Sequence, residues 1–542
     1  MNMRFVKQVL ILSVVFIMGS LLYVGYENQK ELAQSVATMS AMLKQDFKPK
    51  SEVKIIEKMV SAQPWGHVQT KAKDTVVQII AQTAEVNLLK PYETPRQGGG
   101  FGSGFFISDT GEIITNMHVI DQAQSVWIKI PSMGKAIIPA EVIGKAPERD
   151  LALLKITDQG KEIIKRELNI EKFSFLKLGD SDLVSRADEV LALGYPLGQA
   201  SLKSTSGVVS GREHLGGKHL IQISSPINPG SSGGPVLDLN GDVIGIAVAG
   251  VVSAQNVGYI IPVNELTLVL NGLRTKKLLR RPFLGVLVGN GSYDLAKHLG
   301  NPVPSGCYVI DVHPNGPLAK SGVKGGDMIY EVNGLPIDEY GDLKVPWSEE
   351  KLSFMDYIAR WEEGKDITLL IYRDGKRKDS KFKFNYIDNA PVKKVIVGED
   401  SLDYEIFGGM LFQPLNLNLV QTLISNAPSL IKYAEFKNQM DPALIVTHVM
   451  PSSLVDRMVV IQPGAIIDEV NGTKVTNMKE LRSELKKSVK KKRVVFKTSD
   501  GAVFVINSKA ALSDEQRLSK TYHYPLSEFI QELRKSLEKI DK

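Results

Sequence analysis

One cysteine among 542 residues excludes any disulfide within the chain, so the fold must be held by its cores and hydrogen bonds alone. Cys307 opens an apolar strand with no histidine near it in sequence, which points to a packed core thiol and not a reactive one. Charge of one sign is also scarce: 66 Lys and Arg against 60 Asp and Glu leave only +6, too little over so long a chain to suggest a nucleic-acid partner. His214 and His219 flank Gly216-Gly217 without a cysteine or third ligand beside them, so no metal site is expected, and no cofactor is implied. At the N-terminus the apolar run Val9 to Tyr26 follows Arg4 and Lys7. It is near the ~20 residues that span a bilayer and longer than the 7–15 of most cleavable signal cores. No small-x-small cleavage site lies at its end, although Ser35-Val36-Ala37 and Met39-Ser40-Ala41 offer late ones. The expectation is an uncleaved transmembrane helix with a cytoplasmic N-terminus and everything after it exported, the alternative being a cleaved signal and a soluble periplasmic protein.

What is present centres on Asn228-Pro229-Gly230-Ser231-Ser232-Gly233-Gly234-Pro235, a serine between glycines and between two apolar strands. A nucleophilic hydroxyl needs an exposed turn, a base, and backbone N–H groups that approach the developing oxyanion, which flanking glycines permit. Upstream, a Gly-rich strand and the turn Ser108-Asp109-Thr110-Gly111 form a hairpin leading to Thr115-Asn116-Met117-His118-Val119. Next, Asp150 stands at the mouth of the alternating strand Leu151 to Ile156, placed to orient an imidazole. The order His118, Asp150, Ser232 matches chymotrypsin and differs from subtilisin and the α/β-hydrolases.

These motifs resemble the HtrA/Deg family of trypsin-fold serine proteases, as do Leu193-Gly194-Tyr195-Pro196-Leu197-Gly198, Ser206 to Gly211 and Val257 to Asn264. Ser231 stands where that family usually has Asn. The resemblance implies a double β-barrel endopeptidase with catalytic His118, Asp150 and Ser232, and an oxyanion hole made by the N–H groups of Gly230 and Ser232. It also implies unfolded or damaged envelope proteins as substrates and a homo-oligomer, a trimer or a multiple of it. The primary specificity pocket should lie around Pro226, six residues before the nucleophile, and Ile227, with Ile246 and the strand Gly245 to Ala249 opposite; no carboxylate is available there for Lys or Arg.

At this length the chain must hold several domains. The reading is mainly β: residues 1–30 cytoplasmic end and anchor, 31–73 tether, 74–273 protease, 281–388 and 395–510 two α+β modules, 511–542 a helical tail. Arg274 to Arg281 reads as a solvated linker, and Pro91, Pro95 and Gly98-Gly99-Gly100 as a loop. The modules repeat one pattern: Tyr308 to Pro314 leads to Gly326–Gly334 as Leu444 to Pro451 leads to Gly464–Gly472. Each looks like a PDZ domain, which binds an extended peptide along a sheet edge. Phe283-Leu284-Gly285-Val286 resembles the loop that takes a C-terminal carboxylate. In the second module Phe407-Gly408-Gly409-Met410 shifts the glycines, leaving peptide binding and structural docking both open. Trp347 and Trp361 read as packing groups, and Leu526, Phe529, Ile530, Leu533 and Leu537 as one stripe of a helix. A rival reading is a chaperone or peptide-binding scaffold with a latent protease site; the complete set of three catalytic residue types argues against a vestigial one.

Overall fold

A computed structural model describes residues 65–215, 217–248, 256–280, 284–361, 363–384 and 390–540. The expected anchor, most of the tether, Phe283, Ala249 and Arg281 lie outside the described residues. Among those described, no helix is long and apolar enough to cross a membrane.

Strands β1 (Val76–Glu85), β2 (Arg96–Phe106), β3 (Glu112–Thr115), β4 (Ala123–Lys129), β5 (Ile138–Ala146) and β6 (Leu151–Ile156) close a barrel in the order β1-β2-β3-β6-β5-β4. Closure pairs every strand on both sides and leaves no open edge. The apolar residues Val77, Ile79, Phe106, Ile113, Ile128 and Leu154 fill it, and Phe106 stacks on Phe173 at 5.0 Å; burying each such side chain contributes roughly 1.5–3 kcal/mol. Gly98 to Gly100 are strand residues of β2 and not the expected loop, because β1 and β2 stay in register from Val76↔Phe105 to Glu85↔Arg96. A Cβ at Gly98 would sit 2.9 Å from Thr83 Oγ1, so the strands meet there only without a side chain. The second barrel, β7 (Glu189–Gly194), β8 (Lys203–Leu215), β9 (Lys218–Ile223), β10 (Pro235–Leu237), β11 (Val243–Val248) and β12 (Gly258–Pro262), closes as β10-β11-β12-β9-β8-β7. Helix α1 (Val263–Thr275) follows it.

The segment after α1 is pinned and not a solvated linker. Lys277 and Leu279 hydrogen-bond to the backbone of Lys145, and Arg280 donates to Lys394 O and Asp400 Oδ2. The first α+β module is a sheet β13 (Val286–Gly289), β14 (Cys307–Val312), β15 (Met328–Val332), β16 (Asp366–Arg373) and β17 (Lys376–Lys383), paired in that order, with helix α2 (Phe354–Ala359) against it. Cys307 is buried, and desolvation pushes its thiol up to about 12, as a core cysteine requires. Trp347 and Trp361 both pack on Tyr357.

The second module repeats this sheet as β19 (Met410–Pro414), β20 (Leu444–Val449), β21 (Ile466–Val470), β22 (Arg493–Thr498) and β23 (Val503–Asn507). The duplication extends to the turns: Asn333-Gly334 and Asn471-Gly472 all have positive φ, and each Asn Oδ1 accepts the N–H of the neighbouring strand, from Thr368 and Val495. The two sheets differ at one edge: β18 (Glu405–Phe407) pairs with the outer edge of β19, whereas among the described residues β13 ends its sheet. Helix α3 (Met478–Lys491) lies against this sheet and carries Lys490 and Lys491 in its last turn, where cations suit the helix dipole. The expected tail helix is two, α4 (Ser508–Tyr522) and α5 (Glu528–Ile540), broken where His523 turns left-handed ahead of Pro525. Its stripe is core: Ile530, Leu533 and Leu537 are buried in the second module.

Candidate active site

The site lies where the barrels meet. His118 sits on the short 3-10 turn Met117–Ile120 that follows β3, Asp150 immediately precedes β6, and Ser232 is on the loop between β9 and β10. His118 Nδ1 is 2.9 Å from Asp150 Oδ2, and Asp150 Oδ1 accepts the His118 backbone N–H at 3.0 Å. One carboxylate thus holds both ring and backbone, leaving Nε2 of the half-exposed imidazole for proton exchange. Burial opposes ionisation of Asp150, but the hydrogen bond and charge of His118, with the Lys218 ammonium 3.6 Å away, hold its pKa below the usual carboxylate range.

Asp150 has φ +57, a left-handed conformation that Asp tolerates better than most residues. Its carbonyl is clamped by Asn116 Nδ2 at 3.0 Å and Met117 N at 3.1 Å, and its N–H donates to Pro147 O. Asn116 therefore has a role that the Thr-Asn-x-His pattern did not disclose.

The nucleophile loop is fastened to the first barrel by Ser103. Its N–H donates to Ser232 O (2.8 Å), its hydroxyl donates to Gly230 O (2.8 Å) and accepts the Tyr195 N–H (2.9 Å), and its carbonyl accepts Thr115 Oγ1 (2.7 Å). A Cβ on Gly233 would fall 2.4 Å from Thr115 Oγ1 and 3.0 Å from Asn116 N, so the loop lies directly against the strand that carries His118. Gly230 has φ +93, and a side chain there would lie 2.5 Å from Tyr195 O. The Ser231 N–H is spent on Asn228 O, whereas those of Gly230 and Ser232 donate to no group among the described residues. Two unspent backbone donors, one on the serine itself and one two residues before it, are what an oxyanion needs. Nothing in the spacing of Ser103 marks it, since its partner at Gly230 is 127 residues away.

The residues expected around the specificity pocket differ in exposure. Pro226 is exposed, but Ile227 packs with Val190, Val209, Ile223 and Ile260 in the barrel core, and Ile246 is fully buried on β11. The continuation of β11 at Ala249 is outside the described residues. In the first PDZ-like module Leu284 and Val286 are buried in one core with Phe354 and Ile358 of α2, and Gly285 O accepts the His313 N–H.

Two closed barrels, a carboxylate-oriented imidazole and a glycine-flanked serine define a trypsin-like serine peptidase domain, and the two repeated sheets are PDZ domains. The trypsin-like peptidase family matches residues 102–246, and PDZ families match 282–383 and 392–528. A Pseudomonas fluorescens protein named as a probable periplasmic serine endoprotease, DegP-like, is 30% identical over 409 residues, which are 74% of this chain and 76% of that protein. One of the same name from Bartonella henselae is 31% identical over 72% of this chain and 70% of its own length. Among solved structures, an HtrA-type protease, AlgW with decapeptide, covers 59% of this chain at 25% identity and a TM-score of 0.46. The chain belongs to the DegP-like serine endoprotease family and is a serine endopeptidase.

Proposed function

We propose that Ser232, His118 and Asp150 are the catalytic residues. Ser232 Oγ attacks the peptide carbonyl as its proton passes to His118 Nε2; the N–H groups of Gly230 and Ser232 hold the oxyanion. The C–N bond then breaks, the proton goes to the leaving amine, and water hydrolyses the acyl-enzyme by the reverse proton path. The observation that carries this is the 2.9 Å bond between His118 and Asp150, together with the nucleophile loop on which the N–H groups of Gly230 and Ser232 itself are unspent. Its substrates are unfolded envelope proteins on the periplasmic side. Residues 9–26 tether it to the membrane, and the active species is a homo-oligomer. Cleavage follows aliphatic residues, because the sequence around Pro226 and Gly245 to Val248 supplies no acid for a basic side chain.

One digestion experiment tests these points together. The full chain should degrade a casein-type substrate and Ser232→Ala should not, while both melt at the same temperature. Mass-spectrometric mapping should place most cuts after Ala, Val, Ile or Leu; a majority after Lys or Arg overturns the specificity. N-terminal sequencing of the mature protein should recover residues before Glu27; a start near Thr38 or Met42 overturns the anchor.

A further inference from the structure

The two histidines that spacing alone left without a third ligand gain one in three dimensions. His214 and His219 are direct cross-strand partners on the β8–β9 hairpin, which places both imidazoles on one face of the ribbon. Their rings meet edge to face at 4.8 Å. Onto that face comes Asp356, from helix α2 of the first PDZ domain. The three contacts are nearly equal: His214 Nδ1 to His219 Nε2 3.3 Å, His214 Nδ1 to Asp356 Oδ2 3.3 Å, and His219 Nε2 to Asp356 Oδ2 3.1 Å.

These are the lengths that a metal imposes on its ligands. Zinc holds imidazole nitrogen and carboxylate oxygen at about 2.0–2.1 Å, and a tetrahedron of that radius has edges of about 3.3–3.4 Å. The three atoms thus outline one face of such a tetrahedron. Their chemistry fits as well. With neutral imidazoles, three lone pairs converge on one point, an arrangement that ordinary hydrogen bonding satisfies poorly because the two ring nitrogens face each other as well as the carboxylate. Asp356 is buried, and Ser353 Oγ donates to its Oδ2 at 2.5 Å, an outer-shell contact of the kind that orients ligating carboxylates. His214 is half exposed, so a water can take the fourth position.

We propose that His214, His219 and Asp356 form a Zn²⁺ site that staples the protease hairpin to helix α2 of the first PDZ domain. The hairpin it would fix also carries Lys218, which reaches the catalytic Asp150 at 3.6 Å. The far end of α2 is already tied to the protease, since Arg149 Nη2 donates to Ala359 O at 2.7 Å. A bound ion at Asp356 therefore adds a second tie between α2 and the protease, on the hairpin whose Lys218 contacts Asp150.

The test uses the full chain carrying Ser232→Ala to prevent self-digestion, stripped with a chelator and titrated with Zn²⁺ against a chromophoric competitor. One ion should bind per chain. His214→Ala or His219→Ala should each weaken it by about tenfold or more, and the exposed His523→Ala should leave it unchanged. Co²⁺ in place of Zn²⁺ should give the intense visible bands of a four-coordinate site, lost in the same variants. Asp356→Asn completes the set; being buried it can disturb the helix, so the two histidines of the hairpin decide. Failure to bind Zn²⁺, or binding that both histidine variants retain, overturns the site. Because metal binding is read directly, neither outcome depends on whether the peptidase assignment holds.

Discussion

Ser103 makes four hydrogen bonds, to the backbones of Ser232, Gly230 and Tyr195 and to the Thr115 hydroxyl, and its side chain supplies two of them. Removing that hydroxyl leaves Gly230 O and Tyr195 N without their buried partner and frees the peptide unit next to the proposed oxyanion donor. Ser103→Ala should therefore lower kcat by about ten- to a hundredfold with a much smaller change in KM, measured on a short peptide substrate, while the melting temperature falls only slightly. An equal loss carried in KM would mean that Ser103 serves substrate binding instead. The contrast with Ser232 explains what was legible. His118, Asp150 and Ser232 stand out because the chemistry restricts each position to a residue type and its flanks to particular neighbours. Ser103 and Asn116 act on backbone atoms far away in sequence, and a serine in a glycine-rich strand carries no mark of that. The pocket residues are harder to read: counting back six residues fixes a position in the chain, whereas β11 is buried along nearly its whole length and its pattern marks no single side chain as pocket wall.

The elements of the two PDZ domains show how one repeated pattern can reach two outcomes. A peptide adds to a PDZ domain as a strand on an open sheet edge, with its carboxylate on loop N–H groups. The first domain offers β13 as that edge. In the second, β18 already occupies the outer side of β19, and the Gly409 N–H donates to Glu515 of α4. Peptides with a free apolar C-terminus should bind with one site per chain, lost in Leu284→Asp and weakened by amidation; calorimetry showing two equivalent sites would refute this. The shift of glycines into Phe407-Gly408-Gly409-Met410 was visible in the sequence. The strand that fills the edge was not, because Glu405–Phe407 is too short to stand out before it has a partner.

Glu515 also gives the second domain a pH signature. Burial pushes its carboxyl up to about 7, against the favourable bonds from Tyr524 OH and Gly409 N–H. The folded state then keeps a proton that the unfolded chain gives up above its ordinary value of 4.5. Stability from this group is present below that value and is lost as pH rises from there through about 7, by roughly 3 kcal/mol in all. Glu515→Gln keeps the shape without the charge. It should raise the melting temperature of this domain at pH 8 and change it little at pH 4.5, as read by scanning calorimetry; an equal shift at both would place the effect in packing.

At the scale of the whole molecule, both PDZ domains make contacts with the protease. Arg360 of the first donates to both Asp182 oxygens at 2.8 and 2.9 Å, and Arg149 joins Glu265 to the end of α2. The second holds the connection between β1 and β2: Gln413 Nε2 donates to Leu88 O, Thr447 Oγ1 to Leu89 O, and Tyr92 meets Tyr524 at 5.4 Å. The order of modules and the duplication could be read from the sequence, and these interfaces could not, since each is a handful of polar contacts between surfaces that look solvated until they meet.

The Leu89–Thr447 contact spans 358 residues. Chain segments that distant close last, after the local strand pairings that complete both barrels, and translation delivers the barrels before the sequence that will restrain them has been made. Removing the second PDZ domain would therefore leave both barrels with all their own strand pairings and strip only the connection between β1 and β2 of its distant partners.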